Sequence, residues 1–121
     1  MVVDELTDAE IDRIFHALAD RTRRDIVART MRGDQSVSGL ARGYDMSFAA
    51  VQKHVAVLTS AALVRKERRG REQLVRAVPQ TLQRAGALLQ RYEALWRDRA
   101  AAIEAILAED GDLPHTPEGH R

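Results

Sequence analysis

The chain predicts a mainly α protein with one small β-hairpin and a long C-terminal helix. Three observations carry that prediction. Apolar residues recur every three or four positions through most of the chain, the spacing of a helix face turned inward. The period breaks where two short β-prone runs flank Arg69-Gly70-Arg71-Glu72. After Pro79 it resumes as a seam longer than a small domain needs to cover itself.

The elements follow in order. Thr7-Asp8-Ala9-Glu10 has the spacing of a capping box, and Ile11, Ile14, Phe15 and Leu18 follow it, so a first helix is expected from about Thr7 to Ala19. Asp20 reads as the N-cap of a second helix that buries Ile26, Val27 and Met31 and stops at Gly33. Its arginines, Arg21, Arg23, Arg24 and Arg29, are expected on the outer side. Ser36-Val37-Ser38 leads into a short third helix, with Ser38 as the candidate cap and Leu40 and Ala41 pointing inward.

Gly43-Tyr44-Asp45-Met46 reads as a turn. Ser47 is placed to cap a fourth helix, Phe48 to about Ser60, whose buried stripe is Val51, Val55 and Leu58. Ala49, Lys53 and Ala56 lie on the far side, Ala50 and Val57 beside them, and Gln52 and His54 on the flanks. Phe48 lies about 60° from Val51 at roughly 100° per residue, which favours packing inside over an outward apolar contact. A short helix, a tight turn and a longer helix with a small-residue outer face make a helix-turn-helix pattern.

Leu63–Arg68 and Gln73–Val78 are the expected strands, with Gly70 supplying the positive φ of their turn. Six bases lie between Arg65 and Arg76, against Glu67 and Glu72. A basic hairpin directly behind a helix-turn-helix is the arrangement called a winged helix, which assigns residues 7–78 to one winged helix-turn-helix domain. Residues 79–108 carry the seam Leu82, Ala85, Leu88, Leu89, Tyr92, Leu95, Trp96, Ile103, Ile106 and Leu107, in one long helix or two broken near Gly86. An apolar stripe left over on a terminal helix docks on a partner, most often a second copy, so Leu88, Leu89, Tyr92, Leu95, Trp96, Ile103 and Ile106 are expected to form a homodimer. Residues 109–121 are polar and punctuated by Pro114 and Pro117, and are expected to be disordered.

Composition narrows the function classes. The chain has no cysteine, which removes disulfides, thiol nucleophiles, cysteine-ligated metals and thiol redox sensing. The acidic start, MVVDELTDAE, lacks the marks of a secretion signal, and no apolar run could span a bilayer, so a cytoplasmic protein without membrane partners is expected. The net charge of +1 hides an uneven distribution. Residues 1–12 hold five acids and no base, residues 92–121 hold seven acids and three bases, and residues 13–91 hold sixteen bases against six acids. That middle excess of +10 suggests an anionic partner, and arginines merely solvating helix faces are the bland alternative.

ALADRTRRDIV (Ala17–Val27), SVSGLA (Ser36–Ala41), MSFAAVQKHVAVLTSAALV (Met46–Val64) and RRGREQLVRAV (Arg68–Val78) stand in register and resemble the ArsR-type winged-helix repressors of bacteria. The resemblance covers roughly residues 11–108. YEALWRDR, around Trp96, is similar to a non-metal branch with an aromatic-rich C-terminal helix. The resemblance implies a homodimeric transcriptional regulator of palindromic double-stranded DNA operators, and many such proteins leave DNA when an effector binds.

It also implies site residues. Ser47 matches the serine opening the recognition helix, where free N–H groups suit a phosphate. Gln52, Lys53 and His54 fall where polar side chains meet base edges or phosphates, and Arg68, Arg69, Gly70 and Arg71 match the wing. Ala49 and Ala50 complete the set but depart from the polar residues many relatives carry; with Phe48 they offer only apolar contact, for example to thymine methyls.

Other chemistries find little support. Metal-sensing relatives use cysteines on the third helix or aspartate–histidine sets on the last one; here SVSGLAR has no cysteine and residues 80–108 no histidine. His115 and His120 make a poor metal site, and no cofactor is expected. No nucleophile context or glycine-rich phosphate loop is present, so no enzyme is expected. The alternative from another class is a winged-helix module that binds protein and not specific DNA. A small-molecule effector is left open, with Tyr92 and Trp96 marking where its cavity is expected.

Overall fold

The computed structural model describes residues 5–110. The chain divides into two compact units that part between Gly86 and Ala87.

In the first unit, α1 (Asp8–Leu18) opens with the expected capping box: Thr7 Oγ1 accepts from the Glu10 N–H at 3.1 Å, and the Glu10 carboxylate accepts from the Thr7 N–H at 2.8 Å. The bond from the Thr7 backbone holds the Glu10 carboxyl below its ordinary range. The buried face of α1 is Ile14 and Ala17, and Phe15 turns outward.

α2 (Arg21–Arg32) is capped by Asp20, whose carboxylate accepts from the Arg23 N–H at 3.0 Å. Ile26 and Val27 are buried as expected, but Met31 is exposed. Thr30 takes the inward position one turn after Ile26, and its hydroxyl donates to Val27 O at 2.9 Å, so the buried oxygen is satisfied. Three arginines expected outside are held against the protein, Arg24 through a bond from Nη1 to Leu18 O at 2.8 Å. Arg23 bonds back to α1, and the Arg29 guanidinium lies 5.1 Å from the Tyr44 ring centroid and 3.9 Å from Asp25 Oδ2. A side chain at Gly43 would sit 2.5 Å from Arg29 Nη1, so it would require the guanidinium to shift.

β1 (Gln35–Ser36) is a strand too short to leave a period in the sequence. It leads straight into α3 (Val37–Arg42), and the cap is Ser36, not Ser38. Ser36 keeps the extended backbone of the strand, the geometry an N-cap requires, and its Oγ accepts from the Gly39 N–H at 2.9 Å. α4 (Phe48–Ser60) follows with Ser47 as cap, and buries Val51, Val55 and Leu58 as the stripe predicts. It ends with Ala62 at φ 60°, Leu63 N–H bonded to Leu58 O and Ala62 N–H to Thr59 O, the paired bonds of a Schellman stop.

β2 (Val64–Arg69) and β3 (Glu72–Ala77) form the hairpin, shifted one residue from the expected bounds. The two-residue turn is Gly70-Arg71, with Gly70 at φ 63°. The sheet is antiparallel in the order β1-β3-β2, with Gln35 opposite Val75 and Glu67 opposite Leu74. One core joins these elements: Ile14, Ile26, Leu40, Val51, Val55, Leu58, Leu63, Val64 and Val75 are fully buried.

α5 (Pro79–Glu109) is a single helix that Gly86 does not interrupt. At its start the Thr81 hydroxyl donates to Ala62 O at 2.6 Å, tying it to the end of α4. In the second unit Leu88 is covered, but Leu89, Tyr92, Leu95, Trp96, Ile103, Ile106 and Leu107 are all exposed. Among the described residues no helix is long and apolar enough to cross a membrane. Of the tail 109–121, all beyond Asp110 lies outside the described residues, as do His115 and His120.

Candidate nucleic-acid interface

The site is built on α4, because its apolar stripe leaves the opposite side free. Ser47 Oγ accepts from the Ala50 N–H at 3.0 Å, which satisfies one of the helix's first donors and leaves others for a ligand. Ser47, Phe48, Ala49, Gln52 and Lys53 are exposed, and Ala50 is half-buried. Phe48 does not pack inside the domain: it is 47% exposed. The buried residues of α4 are Val51, Val55 and Leu58, and the first-turn aromatic lies outside that stripe.

The hairpin supplies the other wall. Ser38, Phe48, Gln52, Arg68, Arg71 and Glu72 line a groove of about 220 Å³. Folding therefore brings Gln52 of the helix to the same hollow as two wing arginines far along the chain. The side chains of Arg68 and Arg71 are exposed and form no hydrogen bond or ion pair among the described residues. Arg69 is less free, with Nη2 3.8 Å from Glu67 Oε2. Arg76 is committed to the fold: its guanidinium meets Glu67 Oε1 at 2.7 Å and Asp34 Oδ2 at 3.1 Å.

Those contacts set the local electrostatics. The Arg76 hydrogen bond draws the Glu67 carboxyl below its usual range, and the same bond raises Arg76 above the ordinary arginine value. Glu67 thus stays charged, yet it neutralises Arg76 and part of Arg69, leaving Arg65, Lys66, Arg68 and Arg71 as the outward positive charge of the wing.

His54 stands apart from the other sequence-derived site residues. Its side chain is 21% exposed, and Nδ1 lies 3.2 Å from Arg23 Nη1 and 3.9 Å from Asp20 Oδ2. The helix wheel could not reveal this contact, since it depends on how α2 meets α4. Ser38 and Phe48 also join the groove without having been assigned to the contact set. The pairing of Arg76 had a signal: once the turn is placed at Gly70-Arg71, the register sets Glu67 diagonal to Arg76 on one face. Among the described residues no three His, Cys, Asp or Glu side chains are grouped to hold a metal ion.

The arrangement can do one thing well. A helix with a slim, polar-edged outer face fits a groove about 12 Å wide, and an adjoining basic hairpin can follow a phosphate backbone.

Known proteins share this build. The chain is 34% identical over 101 residues to the HTH-type transcriptional regulator Rv2034 of Mycobacterium tuberculosis, spanning 84% of this chain and 92% of that one. An ArsR-like transcriptional regulator from Rhodococcus sp. RHA1 is 39% identical, with a TM-score of 0.73 over 81% of this chain and 92% of its own. Mb0332 from Mycobacterium bovis, a homodimeric winged helix-turn-helix DNA-binding domain, superposes with a TM-score of 0.59 at 22% identity, over 95% of this chain and 97% of its own. No protein-family model matches the chain.

Proposed function

This chain belongs to the ArsR family of winged helix-turn-helix transcriptional regulators, and we propose that it is a homodimeric repressor acting in the cytoplasm on a palindromic operator. The observation that carries this reading is the groove in which Gln52 of α4 meets Arg68 and Arg71 of the wing. In the proposed complex α4 enters the major groove. Gln52 and Lys53 face base edges, with Ala49 and Ala50 against thymine methyls. The Ser47 end of the helix and wing residues Arg68, Arg69, Gly70 and Arg71 take the phosphates.

Two copies are needed because one α4 spans only a few base pairs. The apolar side chains of α5 support the pairing: Leu89, Tyr92, Leu95, Trp96, Ile103 and Ile106 are exposed, while Leu88, also expected in the seam, is already buried within the chain. Mb0332 shares the fold and is homodimeric. A two-fold dimer requires a two-fold operator, with half-sites about one helical turn apart. Release by a small-molecule effector belongs to the same reading, with Tyr92 and Trp96 as its place once a second copy covers them.

Genome-wide footprinting of the bound protein tests the proposal. The expected outcome is inverted-repeat sites overlapping promoters, with reporter output rising when the gene for this chain is deleted. Asymmetric single sites would contradict the dimeric reader, and falling reporter output would contradict repression.

A further inference from the structure

Arg23 lies on α2, outside every assigned contact, yet it meets the reading helix at a point that carries chemistry. Its Nε donates to Ala17 O at 2.8 Å and its Nη2 to His16 O at 3.1 Å, while its own backbone N–H is held by Asp20. With the guanidinium anchored at two points and the backbone at a third, Nη1 lies 3.2 Å from His54 Nδ1.

A guanidinium has donors and no acceptor. The contact is a hydrogen bond only when His54 Nδ1 is unprotonated, and a proton there would point N–H against N–H. Asp20 Oδ2, at 3.9 Å, is too far to accept such a proton. In neutral His54 the proton therefore sits on Nε2. That nitrogen takes no partner among the described residues, and it is not sealed, because the only buried side-chain nitrogen or oxygen there without a partner is Arg29 Nη1.

The geometry points to Arg23 as a positioning residue that fixes the tautomer of His54, so that His54 presents Nε2–H as a hydrogen-bond donor to an acceptor on DNA. The DNA half rests on the function proposed above; the tautomer does not. A donor at this position can serve a phosphate oxygen or the acceptors guanine N7 and O6, adenine N7 and thymine O4, but not the amino groups of adenine or cytosine. His54 is thereby turned from a two-way group into a one-way reader by a residue that need not touch DNA.

The test begins with the free, full-length protein. Long-range ¹⁵N–¹H correlation of the imidazoles, recorded well above the ordinary histidine range of about 6.5, reads which nitrogen carries the proton. Nε2–H for His54 is expected, and a proton on Nδ1 or an even mixture overturns the proposal. The second arm compares two folded variants on duplex DNA. In His54→Gln the amide nitrogen can occupy the Nε2 position and donate to DNA. In His54→Asn the amide ends near Nδ1, where it can still accept from Arg23 but cannot reach DNA.

The expected result is a loss of about tenfold for H54N and less than about threefold for H54Q. Equal losses in both variants overturn the donor role. A loss equal on operator and random duplex assigns the acceptor to a phosphate, and a loss confined to the operator assigns it to a base; either supports the donor. Failure of the unsubstituted protein to bind any duplex defeats the proposed function and the DNA half together, while the spectrum still decides the tautomer.

Discussion

Arg76 Nη1 lies 2.7 Å from Glu67 Oε1, a diagonal pairing across the two strands of the wing. The same guanidinium reaches Asp34, just ahead of β1, at 3.1 Å. One arginine thus pins the outer hairpin to the edge of the sheet. The wing's cations consequently divide into a group that builds the hairpin and a group that is left to a ligand. Arg76→Ala should lower the thermal midpoint, whereas Arg68→Ala and Arg71→Ala should leave it unchanged. Melting curves of the three variants check the division, and equal destabilisation in all three would refute it.

The second group predicts a binding phenotype. Arg68→Ala and Arg71→Ala should each weaken operator and random duplex by the same factor, and reduce the slope of log K against log salt by about 0.9 for each phosphate contact removed. Lys53→Ala and Gln52→Ala should cost about 1–3 kcal/mol more on the operator than on random DNA. Titrations at several salt concentrations separate the two effects.

Ala62 carries a stability prediction. It holds φ 60° in the stop after α4, a conformation that costs an L-residue roughly 1–2 kcal/mol, and its side chain is exposed. Ala62→Gly removes that strain and loses no packing, at some cost in unfolded-chain entropy. A net gain of about 0.5–1 kcal/mol is expected by denaturant unfolding. Leu58→Ala, at a fully buried position, should cost about 2–5 kcal/mol in the same measurement.

The elements themselves were legible from the chain, and the reasons are local. Thr7 with Glu10, Asp20 and Ser47 announce helix starts, because a cap needs only its own side chain and the next turn. The Val51, Val55 and Leu58 stripe and Gly70 at the turn are likewise short-range signals. What escaped depends on distant partners. Ser36 outranks Ser38 as a cap because β3 pairs with the residues before α3 and holds Ser36 extended. Arg23 and Arg29 looked like solvated charges, since nothing in their neighbourhood announces His54 or Tyr44. In the site, the exposed face of α4 was readable from the wheel. Its closeness to Arg68 and Arg71, and the inward tilt of His54, were not.

Tyr44 gives a pH prediction. Burial, reinforced by its hydrogen bond to Asp25, pushes its hydroxyl up to about 12. An acid whose folded value is raised contributes stability that is complete below the unfolded value of about 10 and lost as pH rises toward 12. Alkaline titration of tyrosinate absorbance should show a step near 12 that Tyr44→Phe removes and that Asp25→Asn moves down. Asp20 works in the opposite sense. The Arg23 backbone bond lowers its carboxyl, so its contribution is present above about pH 4 and lost as pH falls below that.

Dimerisation is tested on side chains that stand clear of the fold. Leu95 and Trp96 are 65% and 63% exposed, so Leu95→Asp and Trp96→Asp should leave the winged domain folded. Light scattering should report a dimer for the parent chain and a monomer for each variant. Operator affinity should fall more than tenfold as the second half-site is lost. A monomeric parent, or variants that dimerise unchanged, would refute the α5 assignment.

The central claim is that the positive face formed by α4 and the wing grips duplex DNA. The most direct measurement is the affinity of the protein for a random duplex across a range of salt concentrations. A straight fall of log K with log salt is predicted, with a slope of about −0.9 for every phosphate neutralised. A line without slope would mean that Arg68, Arg71 and Lys53 meet no phosphate, and would contradict it.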